Sequence, residues 1–113
     1  MLVKKGQGFP RDALFGGEGT VTVWDLLGRA AAPPFTAILG CELEARGSVG
    51  RHVQEEFAEI VIGLEGEGVA TVDGAERALG PGDVVHLPLG AVLSIDNRGD
   101  TPLRYLIIKA SAG

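Results

Sequence analysis

Much that would assign this chain to a familiar class is scarce in it. Among 113 residues there is one cysteine, Cys41, so no intrachain disulfide is available, which fits a reducing cytoplasm. No stretch approaches the roughly 20 consecutive apolar residues of a membrane span. The opening Met1-Leu-Val-Lys-Lys-Gly has two lysines but no apolar run behind them, so no signal peptide is expected. Basic residues are outnumbered, 10 Lys and Arg against 15 Asp and Glu, for a net charge of −5. They form no stripe, so the phosphate-neutralising surface of a nucleic-acid binder is absent. Aromatics make up only 5%, and there are two histidines, His52 and His86.

Turn-forming residues, by contrast, are plentiful. Eighteen glycines stand beside six prolines, against a usual glycine share of roughly 7%. Long helices do not tolerate that density of breakers, which excludes an all-helical bundle. An apolar share of 45% against 22% charged excludes disorder. Period-2 alternation between turn signals predicts strands over 20–26, 35–45, 57–64, 69–72, 76–79, 84–87, 92–95 and 103–109. Residues 48–56 read as a polar stretch, and 25–32 has room for a short helical turn. Asp73-Gly74 is a two-residue hairpin signal. Eight or nine strands at roughly 8–12-residue spacing form the pattern of a sandwich or barrel in one domain, 1–113.

The region from Gly47 to Asn97 holds the candidate chemistry. Its first part reads His52-Val-Gln54-Glu-Glu-Phe-Ala-Glu59, then six residues to Gly66. Its second reads Gly82-Asp-Val-Val-His-Leu-Pro88-Leu-Gly90-Ala-Val-Leu93-Ser-Ile-Asp-Asn97. These resemble the two motifs of the cupin family, and the match covers about half the chain. The resemblance implies an all-β double-stranded β-helix, a jelly-roll barrel. It also implies a divalent metal (Fe, Mn, Ni or Zn) inside, held by two histidines and a glutamate of the first motif and a histidine of the second. Residues i and i+2 of a strand face one side, so a His-x-His pair converges on one ion. Here the pattern is altered. His52 and Glu59 stand at ligand positions, but Gln54 replaces the second histidine and Leu93 the last one. Gly47 lies four residues before His52 where the motif has five. Leucine binds no metal and glutamine offers a neutral carbonyl oxygen, so a metal is expected to be weakly held or absent.

His86 shares a strand face with Val84 and Pro88. If that face is interior, His86 supplies a second imidazole; if exterior, it is a surface residue. The cavity residues expected are thus His52, Gln54, Glu59, His86 and Leu93, with His52, Gln54 and Glu59 ahead of His86 as metal ligands. Glu55 and Glu56 read as solvated loop residues and Cys41 as a small core residue. Asp83, Pro88, Gly90 and Asn97 read as turn architecture, and Trp24, Phe57 and Tyr105 as core or interface. Two functions fit. One is a binding domain that keeps the barrel cavity for a small molecule. The alternative is a metal-dependent dioxygenase, isomerase or lyase using His52 and Glu59 with Gln54 or His86. Either is expected to be cytoplasmic, without nucleic-acid or membrane partners, and a homodimer joined through an exposed edge, with the N-terminal strand as the candidate.

Overall fold

The computed structural model describes residues 4–111. The first three residues, part of the segment read above for a leader, lie outside them. The strands are β1 (Phe9–Asp12), β2 (Thr20–Asp25), β3 (Phe35–Leu43), β4 (Ser48–Val53), β5 (Ala58–Glu65), β6 (Gly68–Val72), β7 (Ala75–Leu79), β8 (Val84–Leu87), β9 (Val92–Asn97) and β10 (Leu103–Ala110). A single 3-10 turn, Leu14–Gly16, precedes β2. Among the described residues no helix is long and apolar enough to cross a membrane.

All pairings are antiparallel and form two sheets, β1-β2-β3-β10-β5-β8 and β4-β9-β6-β7. Their inner faces share one core. Leu43, Val61, Leu87, Leu103 and Tyr105 come from the larger sheet, and Val49, Ala70, Leu79, Leu93 and Ile95 from the smaller. This is the expected jelly roll. Strand β8 has the predicted limits, because Val85 and Leu87 point inward and Val84 and His86 outward. The Asp73-Gly74 hairpin joins β6 to β7 with both residues at positive φ, 50° and 83°, as a two-residue primed turn requires.

Three segments depart from the sequence reading. The supposed polar stretch contains β4, which alternation misses because its register slips between Val49 and His52. Strand β1 is exposed at all four residues, so it has no buried face to betray it; it pairs with β2 of its own chain. Residues 25–32 hold no helix. Instead the Asp25 carboxylate accepts the Gly28 amide at 2.8 Å and closes a turn.

Asn97 fastens the barrel end. It is 2% exposed, and its amide nitrogen donates to the carbonyls of Leu43, Glu44 and Thr101 at 3.2, 3.1 and 2.8 Å. Its Oδ1 accepts the Gly99 amide at 3.1 Å. One side chain thus ties β9 to the end of β3 and shapes the turn into β10. Asn97→Ala leaves these carbonyls short of a donor, and urea denaturation is expected to show a loss of about 1–3 kcal/mol. Stability equal to wild type would show that water replaces the amide.

Candidate functional site

The slip in β4 aims His52. Val49 pairs with Ile95 and His52 with Leu93, so β4 holds one residue more than β9 over this step. Without that extra residue, alternation from buried Val49 would turn Arg51 inward and His52 outward. With it, Arg51 is exposed and His52 lines the interior cavity. The same bulge brings the Gly50 carbonyl 2.9 Å from His52 Nδ1. A carbonyl only accepts, so Nδ1 carries the proton. In the neutral ring Nε2 is then an acceptor, and the Gln54 amide nitrogen donates to it at 3.2 Å. Gln54 is held from both sides by backbone bonds, its N–H to the Ala91 carbonyl and its carbonyl from the Gly90 amide.

Against one face of the imidazole lies Phe15. The two rings are stacked with centroids 4.0 Å apart and planes 13° from parallel. Phe15 reaches that place from the 3-10 turn with a left-handed backbone, φ 54°, as does Ala13, φ 49°. Bulky residues avoid that region, so the turn must be held by its surroundings. Gly50 supplies the hold: a Cβ there would collide with the Phe15 carbonyl, so only glycine lets the turn lie flat on β4.

The polar floor comes from β5 and β10. Glu59 pairs with Lys109 across the ladder, and Lys109 Nζ lies 3.5 Å from Glu59 Oε2. Burial raises the Glu59 pKa above its ordinary value, while Lys109 and then His52 pull it back. Deeper in, Cys41 faces Tyr105 across β3 and β10. Burial pushes the Cys41 thiol up to about 12 and the Tyr105 hydroxyl well above its usual range, so neither ionises near neutrality. The cavity enclosed by these groups measures about 410 Å³. Gln54, Glu59 and Leu93, at 6, 5 and 2% exposure, all line it, as do Phe57 and the exposed Glu55 and Glu56 at its rim.

A cupin-domain family model matches residues 41–109, more than half of the chain. The chain is a cupin. It is 34% identical over 94 residues to an oxalate-binding protein of Thermotoga maritima, covering 82% of this chain and 78% of that one. It is 34% identical over 90 residues to a beta-D-galactosidase of Mycobacterium tuberculosis, covering 80% and 78%. Among solved structures, one described as a predicted oxalate decarboxylase from Thermotoga maritima superposes with a TM-score of 0.85 at 30% identity, covering 92% of this chain and 91% of that one.

Members of the fold commonly hold a divalent metal, but the donors of this cupin do not fit one. Leu93 stands directly opposite His52 in the β4–β9 register and presents only methyl groups. His52 Nε2 is occupied by Gln54, and the Glu59 carboxylate already has an ammonium neighbour. Among the described residues no three His, Cys, Asp or Glu side chains converge on a common point. The option that His86 completes the set is corrected. His86 is exposed on the outer face opposite Ile60, beside a surface depression shared with Asp73 and Arg77, because no bulge turns β8 over. Sequence reasoning missed Lys109 and Phe15. Alternation from Tyr105 and Ile107 would have placed Lys109 inside, whereas nothing in the sequence marks Phe15.

The raised pKa of Glu59 has a consequence for stability. The native state binds this proton more readily than the unfolded chain, whose carboxyl has an ordinary value near 4.5. Stability from this group is therefore highest in acid and falls as pH rises through the native Glu59 pKa. Glu59→Gln removes the dependence. The variant should gain on wild type as pH rises from the ordinary carboxyl value near 4.5 through the raised native value, flattening above it. A stability difference constant over that range, measured by denaturant melts, would contradict the assignment.

Proposed function

We propose that this cupin is a binding domain that takes a small molecule into its barrel cavity without a resident metal ion. The observation that carries the reading is the state of the positions where the cupin motifs carry ligands: Leu93 faces His52, Gln54 engages His52 Nε2, and Lys109 sits beside Glu59. The cavity volume of about 410 Å³ falls within the roughly 300–1,000 Å³ of small-molecule sites. The two curated relatives are named for unlike chemistries, oxalate binding and galactoside cleavage, so their names do not select between ligands. The single thiol, buried and reluctant to ionise, suits a cytoplasmic setting.

The test is metal content. Purified wild-type protein, equilibrated with Mn, Fe, Ni or Zn and desalted, is expected to retain well under one ion per chain. The double variant Gln54→His with Leu93→His restores imidazoles at both altered positions and is expected to retain one Ni or Zn. Stoichiometric metal in the wild type, lost in His52→Ala, would overturn the reading and favour a metal-dependent enzyme.

We further propose a homodimer, joined through the outer face of the larger sheet and not through the edge of the N-terminal strand. One cross-strand row there is Ile38, Ile108, Ile60 and His86, and the next is Leu106, Ile62 and Val84. The outer face of an antiparallel sheet is ordinarily polar. Val84 is 62% exposed and Ile60 39%, and apart from His86 beside Ile60 these rows carry no ionisable side chain that would select an unlike partner. A flat apolar patch suits its own two-fold copy, since a two-fold axis presents the same patch from both sides. Light scattering should give a dimer for wild type and a folded monomer for Ile60→Lys with Val84→Lys. A dimer surviving both changes would exclude this face.

A further inference from the structure

The polar groups of the cavity differ in what they have left to offer. His52 has nothing left, with Nδ1 given to Gly50 and Nε2 taken by Gln54. Gln54 Oε1 has no partner among the described residues. Since no fully buried side-chain polar atom there lacks one, Oε1 is open to the cavity. The Glu59 side chain is 5% exposed. Its one polar contact among the described residues is Lys109 at 3.5 Å, longer than the roughly 2.7–2.9 Å of a tight charge-assisted bond. The site therefore holds acceptors open to the cavity and in want of donors, beside an ammonium with donors to spare.

Charge then narrows the ligand. Glu59 and Lys109 offset each other at the floor, and the exposed Glu55 and Glu56 at the rim oppose an anion. A cationic ligand reaching Glu59 would meet Lys109. A hydroxyl both donates and accepts, so a vicinal pair can donate to Glu59 and Gln54 while accepting from Lys109. Phe15, Phe57 and Leu93 supply apolar walls for the C–H faces of a compact ring.

We propose that the cavity binds a neutral polyhydroxylated ring, a monosaccharide or cyclitol, through Glu59, Lys109 and Gln54. This rests on the reading of the barrel as a metal-free binding site and names the ligand class of that site. The ring enters as an intact neutral molecule, and no bond is made or broken.

The test is an NMR titration of the full chain with D-galactose, D-glucose and myo-inositol, and in parallel with oxalate and putrescine. Saturable shifts are expected at cavity residues for at least one neutral ring and for neither charged probe. Lys109→Met and Gln54→Leu, each first shown to keep a dispersed spectrum, should raise the dissociation constant about tenfold or more, as loss of a hydrogen bond in a buried site does. Saturation by oxalate or putrescine instead, or silence from all three neutral rings, overturns the ligand class and leaves the metal-free cavity standing. Shifts at His52 and Glu59 that require added metal overturn the reading beneath it.

Discussion

The contact between Lys109 and Glu59 sets the charge at the floor of the barrel. It exists because β5 and β10 pair in one register, Ile108 against Ile60 and Lys109 against Glu59. A slip by one residue would send the ammonium to the outer face and leave a carboxylate alone in an apolar cavity. Such a charge is costly in a poorly solvated site, so an unpaired Glu59 would call for a cation from outside. With Lys109 beside it, the cation is part of the chain. The rest of the altered ligand set is consistent with that: Gln54 caps the one imidazole, and Leu93 adds apolar wall where a further donor would stand.

The other half of the site depends on a backbone irregularity. The extra residue in β4 turns His52 inward, offers the Gly50 carbonyl to Nδ1, and leaves room for the Phe15 turn. These effects are coupled, because all three use the same two residues. Left-handed φ at Ala13 and Phe15 costs roughly 1–2 kcal/mol each, and the stack on His52 with the contacts along β4 offsets it. The imidazole is thereby fixed between an aromatic ring and an amide, a posture suited to shaping a pocket.

The fold was largely legible in the residues. Alternation marked the extent of the strands with one clean buried face, such as Val84–Leu87, whose Val85 and Leu87 the fold turns inside, and Asp73-Gly74 marked its hairpin. The cupin motifs were readable even with two ligands replaced, since Gly66, Pro88, Gly90 and Asn97 serve the turns and not the metal. Strand β4 was hidden because a bulge breaks the period on which recognition relies. The facing of His86 was undecidable for the same reason, as a bulge near Pro88 would have reversed it. Phe15 touches His52 across 37 positions, a contact that no local pattern encodes; Lys109 was legible in principle, two residues beyond Ile107 on an inward face.

The most direct test reads the nitrogen atoms of His52. Long-range proton–nitrogen correlation of the imidazole, with and without equimolar Zn or Ni, reports both tautomer and ligation. A protonated Nδ1 and a bare Nε2, unchanged on adding metal, is the result predicted here. Stoichiometric loss or displacement of the Nε2 signal with metal would mean that Gln54 and Lys109 yield to an ion, and would contradict the account.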